Sequence, residues 1–315
     1  MPTKAEQKRS TQAAAAFNNY YASIWGEERW QQTLLPALLA PTRHAALINT
    51  FAPDEAIATE LESLAVDNST RLPCLQGEKD TFPPPRKTPS GLLSHYNLDA
   101  ASVLAAELLD VRAEHHVLDL CAAPGGKSIV IAQHRPATLH SNELDTSRNK
   151  RLAANLKSYL PADFNLKVLK LDGTDKRAVF PLNEYDRILL DAPCSSERHV
   201  LHKYAGNPVA EEMMNWKASH TKTLARTQVS LLMRALRLVK VGGRVVYATC
   251  SLSTEENDGV IERCRQKYEF EIVDDDVLDN LSEKTRYGRI VLPDHGSGGR
   301  WGPLYFCVLI KHQSR

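Results

Sequence analysis

No run of apolar residues in this 315-residue sequence is long enough to cross a bilayer; charges interrupt the longest within about ten positions, against the roughly 18 a spanning helix needs. Cysteine is sparse and scattered. Cys74, Cys121, Cys194, Cys250, Cys264 and Cys307 form no C-x-x-C and no regular spacing, which argues against structural zinc and against a disulfide framework. There is no secretory signal at the start, so reduced thiols in an intracellular protein are expected. Internal repeats and low-complexity tracts are missing, as are G-x-G-x-x-G and the P-loop, so nucleotide phosphate is not the favoured ligand. The formal net charge is only +1, which by itself excludes a blanket nucleic-acid coat. What remains is ordinary globular composition, 43% hydrophobic and 24% charged, which excludes global disorder and a collagen-like fibre.

That small net charge conceals an asymmetry. Residues 1–92, 93–145, 146–240 and 241–315 carry nets of −1, −4, +8 and −2, so the positive charge sits in one internal stretch. Residues 17–66 read as helices, with Phe17, Tyr20, Tyr21, Ile24, Trp25, Trp30, Leu34, Leu35, Leu38 and Leu39 recurring at three- and four-residue spacing. Residues 68–92 contain Pro73, Pro83, Pro84, Pro85, Pro89 and Gly91, which forbid a continuous helix. This predicts a helical N-terminal region over 1–92, ending in a Pro-rich linker, and a main domain over 93–315. From Asn97 the pattern alternates between helices (98–109, from 128, 147–159, 221–239) and strands (117–120, 137–142, 166–171, 187–190, 244–248), with Gly242-Gly243 read as a helix stop. Such alternation predicts an α/β domain on a mostly parallel sheet. The segments 269–274, 289–292 and 304–311 read as an antiparallel edge.

In open α/β sheets ligands bind just beyond the carboxyl ends of the strands. Five successive strand ends here deliver Cys121 to Lys127, Glu143, Asp172, Asp191 with Cys194, and Cys250. The loop Cys121-Ala122-Ala123-Pro124-Gly125-Gly126-Lys127 opens a helix, where free N–H groups and two glycines let a ligand's negative end approach the backbone. Glu143 suits two ribose hydroxyls and Asp172 the adenine side, so a nucleoside with a carboxylate tail, S-adenosylmethionine, fits the set. Cys194 and Cys250, at adjacent strand ends beside Asp191, are expected to face one cleft; Cys74, Cys121, Cys264 and Cys307 read as packing residues.

The blocks Val117 to Lys127, Leu190 to Ser196 and Tyr247 to Ser253 resemble the three signature blocks of the Sun-domain RNA (cytosine-5) methyltransferases, over roughly residues 93–311. Phe17, Tyr20, Tyr21, Trp30, the segment Ala45 to Ala52, Arg198-His199, Leu201-His202 and the ending Trp301-Gly302-Pro303-Leu304-Tyr305 resemble the short mitochondrial members acting on rRNA or tRNA. The resemblance implies a Rossmann-like methyltransferase fold and S-adenosylmethionine as cofactor. It implies Cys250 as nucleophile at carbon 6 of cytosine, Asp191 at ring nitrogen 3, and Cys194 as the group that helps release the product. It also assigns Cys121, Ala122, Ala123, Pro124, Gly125, Gly126, Lys127, Glu143, Arg148, Asp172, Gly173 and Asp191 to the cofactor; the family often has Asp where Glu143 stands.

A base must leave its stack to reach such a pocket, which is easiest in a loop or single strand. Arg198, His199, His202 and Lys203 are placed to meet phosphates, and Lys217, Lys222 and Arg226 extend the stretch or form a solvated helix face. A surface this localised points to help from a partner protein or a preformed ribonucleoprotein, with no membrane partner. The resemblance points to mitochondria, whereas Met1 to Ala16 has no convincing Arg-rich presequence, leaving the cytoplasm open. Two competing readings are a catalytically silent ribosome-assembly factor and a dithiol redox enzyme using Cys194 and Cys250. The intact cysteines oppose the first, and the missing glycine fingerprint opposes the second.

Overall fold

A computed structural model describes residues 2–53, 65–66, 70–72, 74–78, 82–182, 184–274, 278–296 and 301–312. Thr3 caps α1 (Lys4–Trp25) by a reciprocal box with Glu6: Glu6 N–H donates to Thr3 Oγ1 (3.2 Å) and Thr3 N–H to Glu6 Oε2 (2.7 Å). Helix α2 (Glu27–Arg29), one wide π turn (Trp30–Leu34) and α3 (Leu35–Leu39) follow. Phe17, Tyr21, Trp30, Leu34 and Leu38 are fully buried and share a core with Leu118, Ile188 and Leu190 of the main sheet. The Tyr21 and Trp30 rings stack at 5.6 Å, and Trp216 meets Phe17 edge-on at 5.1 Å.

The helical reading of 17–66 fails after residue 40. Arg43–Ile48 is a strand, β1, paired antiparallel with β3 (Cys74–Glu78) on one side and β4 (His95–Asp99) on the other; β2 (Ala65–Val66) extends β3. Ala45, Ala46 and Leu47 are consecutive and all buried, so both faces of the strand are covered and no alternation marks it in the sequence. Cys74–Glu78 likewise places a strand inside the Pro-rich segment. The helix expected over 54–64 lies outside the described residues.

The second sheet is built as expected. Strands β5 (His116–Asp119), β6 (Thr138–Asn142), β7 (Leu166–Leu169), β8 (Tyr185–Asp191) and β9 (Val239–Thr249) run parallel in the order β9-β8-β5-β6-β7. Strand β13 (Leu304–Lys311) joins β9 antiparallel, and its far edge carries β10 (Phe270–Val273) and β12 (Arg289–Val291), the latter followed outward by β11 (Glu283–Lys284). Helices α4 (Ala100–Glu107), α5 (Gly126–Gln133), α6 (Thr146–Tyr159), α7 (Glu197–Gly206), α8 (Glu211–Met214), α9 (Ala218–Leu238) and α10 (Asp258–Arg265) complete the described elements. Along α9, Thr221, Ala225, Gln228, Leu232, Ala235 and Leu236 are buried at helical spacing against the sheet.

Gly242-Gly243 is not a helix stop. Helix α9 ends at Leu238 and passes directly into β9, where the pair forms a bulge: Tyr185 faces Val239, but Arg187 already faces Arg244. Gly242 sits at φ +75°, and a Cβ on Gly243 would fall 3.0 Å from the Asp186 carbonyl oxygen. The chain order reverses between β5's two neighbours, β6 and β8, so the loop after β5 opens at the topological switch point where such sheets bind ligands.

Candidate active site

The five strand ends do converge. A cleft of about 1100 Å³ is lined by Cys121, Ala123, Glu143, Arg148, Asp172, Gly173, Asp191, Cys194 and Cys250. An adjoining recess of about 230 Å³ is lined by Cys121, Ala122, Ala123, Pro124, Gly126 and Lys127, with Asp191 shared between the two. Gly125, at φ +113°, starts α5 from the left-handed region. A Cβ on Gly126 would lie 3.0 Å from the Tyr96 ring, so this turn runs against the small sheet.

The sulfur atoms of Cys194 and Cys250 lie 2.8 Å apart, both as free thiols. The hydrogen bond to Cys250, with burial, raises the Cys194 thiol well above its usual value. Burial likewise pushes up Cys121, whose thiol is thereby held neutral. Cys74, Cys264 and Cys307 are buried in the core, as their packing role requires.

Two carboxylates missed by sequence reasoning stand behind the sulfur pair. Glu197 and Glu256 are fully buried, and the Ser195 hydroxyl lies within hydrogen-bond distance of both, 2.5 Å from Glu256 Oε1, with one proton to give to one of them. Glu256 Oε2 also accepts from Ser195 N–H (3.1 Å) and Gln228 Nε2 (2.8 Å), while Glu197 accepts from Leu252 N–H (3.0 Å) and the Tyr21 hydroxyl. The pair thus ties the Cys194 loop to the Cys250 loop and both to α1. Burial and the Glu197 charge push Glu256 up to about 7.

On the other side of the cleft Lys127 Nζ donates to Asp191 Oδ2 (2.8 Å) and to Ser102 Oγ (3.0 Å). Burial lowers Lys127, but the Asp191 charge and hydrogen bond, together with the charges at Cys250 and Asp119, more than offset it and raise Lys127 above the usual lysine value. Glu143 Oε1 accepts from Asp145 N–H (3.0 Å), and its other oxygen lies 3.4 Å from Arg148, which also donates to the Ala123 carbonyl (2.9 Å). Asp172 accepts from Thr174 N–H (2.8 Å) and the Thr174 hydroxyl (2.7 Å), and these bonds hold it below the usual carboxylate range. A Cβ at Gly173 would sit 2.8 Å from the Leu231 side chain, which would have to shift to admit it.

The recess also shows unmet demand. Asp119 Oδ1 and Asn97 Oδ1 are buried and accept no hydrogen bond among the described residues. Asp119, whose other oxygen takes the Ser128 hydroxyl at 2.6 Å, is pushed up to about 7 by burial. Two unpaired acceptors beside a lysine and an open glycine turn fit a ligand end carrying both an ammonium and a carboxylate. Asp119 was visible as an acid inside the apolar run Val117 to Leu120, an unusual place for one unless it has a partner.

The expected phosphate contacts need correction. Arg198 is buried: its guanidinium donates to the carbonyls of Ala40 (3.0 Å) and Gly302, so it fastens α7 to the chain after α3 and to the approach to β13. His202 Nε2 lies 2.8 Å from the Leu38 carbonyl. Of that group His199, His202 and Lys203 remain exposed, His199 on the cleft wall, and Lys217, Lys222 and Arg226 are exposed around α9. Arg198→Ala should therefore act on stability before RNA. Orphaning two carbonyls is expected to cost about 2–3 kcal/mol, read as a lower thermal midpoint, with residual methylation by the folded fraction.

Comparison with known proteins identifies the family and the fold. A family model described as 16S rRNA methyltransferase RsmB/F matches residues 106–299. The mouse (Mus musculus) 5-cytosine rRNA methyltransferase NSUN4 is 32% identical over 319 residues, covering 87% of this chain and 82% of its own length. The zebrafish (Danio rerio) mitochondrial tRNA (cytosine(34)-C(5))-methyltransferase is 32% identical over 325 residues, covering 94% and 86%. In fold, the chain resembles a methyltransferase homologue from Pyrococcus horikoshii (TM-score 0.72, 21% identity, covering 98% of this chain and 100% of the other). It also resembles NSun6 of that organism, solved with SFG (TM-score 0.71, 18% identity, 95% and 98%).

Proposed function

The chain belongs to the 16S rRNA methyltransferase RsmB/F family, an S-adenosylmethionine-dependent RNA (cytosine-5) methyltransferase, and from that premise we propose that it works through a two-cysteine covalent mechanism on a structured rRNA or tRNA. The observation that carries the mechanism is the 2.8 Å approach of Cys194 and Cys250 beside Asp191 in one cleft. Bound along the strand ends, the cofactor supplies an electrophilic methyl group. Carbon 5 of cytosine is a poor nucleophile, so the Cys250 thiolate first adds to carbon 6 and drives electron density to carbon 5. A proton delivered through Asp191 to ring nitrogen 3 neutralises the charge that develops there, which requires Asp191 to exchange its bond with Lys127. Once carbon 5 carries the methyl group, Cys194, its own proton released to solvent in the open cleft, takes the carbon 5 proton as a thiolate; the C–H pair re-forms the ring double bond and Cys250 leaves as thiolate.

The cofactor's amino-acid end is assigned to Cys121 through Lys127 with Asp191, its ribose to Glu143 with Arg148, and its adenine side to Asp172 and Gly173. Asp119 and Asn97 join the first group as acceptors for the ammonium. All of these residues lie in 93–315, the proposed catalytic domain, with 1–92 as its scaffold. The positive charge is confined to the stretch 146–240, between flanks of net −4 and −2, which supports RNA affinity supplied partly by a protein partner or a preformed ribonucleoprotein. The zebrafish tRNA methyltransferase is named mitochondrial, which supports mitochondria as the site of action. Among the described residues no helix is long and apolar enough to cross a membrane.

The test is methyl transfer from labelled S-adenosylmethionine to small-subunit rRNA and to tRNA, followed by nucleoside analysis and bisulfite mapping. Label in 5-methylcytosine at a discrete position is expected. Label in any other nucleoside, or none with either RNA, would overturn the proposal.

A further inference from the structure

Ser196 precedes α7 in the left-handed region, at φ +52°, a conformation that a residue with a Cβ rarely adopts. Serine at the start of a helix ordinarily turns its hydroxyl onto the free N–H groups of the first turn. Here it makes no such bond. Its Oγ lies instead 3.2 Å from Cys250 Sγ and 3.6 Å from Cys194 Sγ, with the Cys194 carbonyl oxygen a weaker alternative at 3.4 Å. The hydroxyl and the two sulfurs form a triangle on the wall of the cleft. Backbone strain together with a forgone cap is an outlier of the kind that collects at functional sites.

We propose that Ser196 is a further catalytic residue, its Oγ–H donating a hydrogen bond to whichever of the two sulfurs carries negative charge. The inference rests on the assignment of Cys250 as nucleophile. Before addition the charge is on Cys250, and during proton removal it is on Cys194; a rotatable hydroxyl within reach of both follows it without moving the backbone. No bond to Ser196 forms or breaks. The charges acting on the pair leave room for such a donor: Lys127, acting across the cleft, attracts a thiolate, while Glu197, on α7 immediately after Ser196, repels one. Asp191, also on the cleft wall, engages Lys127 and draws part of that attraction away from the sulfurs. A neutral donor at the sulfurs favours the thiolate without adding a charge that would compete with the base.

The experiment measures the rate at which iodoacetamide alkylates Cys250 in full-length Cys194→Ala protein at pH 7.5, site-resolved by mass spectrometry, alone and combined with Ser196→Ala or Ser196→Gly. Both double variants are expected to alkylate Cys250 about tenfold more slowly, the size of one hydrogen bond to a charged acceptor. Ser196→Gly should do so while melting no lower than its parent, because glycine relieves the positive φ. In the otherwise intact enzyme Ser196→Gly should lower kcat by a similar factor and leave the KM for RNA unchanged. Alkylation within twofold of the parent in Ser196→Gly would overturn the proposal, as would a slow Ser196→Ala restored by Ser196→Gly, since the hydroxyl would then be dispensable. The adduct experiment that tests Cys250 itself reads a different bond, so the two assignments fail separately.

Discussion

Cys194→Ala protein incubated with RNA and S-adenosylmethionine is expected to accumulate a protein–RNA adduct that survives denaturing electrophoresis. Cys250→Ala should form none and lose more than about a thousandfold in methyl transfer, the scale on which removing a covalent nucleophile acts. The asymmetry follows from the chemistry of two thiols on one base. A sulfur bonded to carbon 6 cannot also remove the proton whose loss frees it, so deleting the second thiol stalls the enzyme after addition and methylation. The 2.8 Å separation places the second sulfur where it can serve without rearrangement of the loops. A silent assembly factor would give no adduct with either variant, and a dithiol redox enzyme would lose activity equally with both. Methyl transfer retained by Cys250→Ala would show that the nucleophile lies elsewhere.

Which parts of this centre could be read from the sequence depends on how local their causes are. Glu143, Asp172, Asp191, Cys194 and Cys250 were legible because Asp191 ends a strand and the others follow one by one to three residues, and parallel strands deliver their carboxyl ends to one edge. The Gly125-Gly126 turn was legible for the same reason. Arg43–Ile48 was not: its alanines and leucine carry no period-two signal, and its partners, Cys74–Glu78 and His95–Asp99, lie far along the chain, so pairing overrides local preference. Arg198 looked like a phosphate ligand beside His199 until carbonyls from Ala40 and Gly302, over a hundred residues away on either side, were brought to it. Gly242-Gly243 marks a real irregularity, placed one element later than the helix it seemed to end. Glu197 and Glu256, fifty-nine positions apart in the chain, have no shared local signal, and only the meeting of two loops at Ser195 makes them a pair.

That pair should also govern how the fold responds to pH. Glu256 titrates near 4.5 when unfolded and at about 7 in the folded protein, because burial and the Glu197 charge disfavour its ionised form. A carboxyl raised by folding contributes stability that is fully present below 4.5 and is lost as pH rises to about 7. The midpoint of thermal unfolding is therefore expected to fall between pH 5 and pH 8, Glu256 accounting for about 3 kcal/mol of the change. Asp119, also pushed to about 7, moves in the same direction. Glu256→Gln should flatten the dependence without collapsing the fold. Its amide oxygen can accept from Ser195 N–H and Gln228, while its amide nitrogen donates to the Ser195 and Ser251 hydroxyls, which turn toward Glu197. Glu256→Ala has no such substitute and leaves Ser195 N–H and Gln228 buried without that acceptor, at an expected cost of about 3 kcal/mol or more. It should also slow methyl transfer, since the carboxylate that holds the Cys194 loop against the Cys250 loop is gone. Melting curves of the three proteins at pH 5, 6.5 and 8 decide the matter: if Glu256→Gln keeps the full pH slope of the parent, the titrating group is not Glu256. If Glu256→Ala matches the parent in both stability and rate, the two loops are held together by something other than this carboxyl.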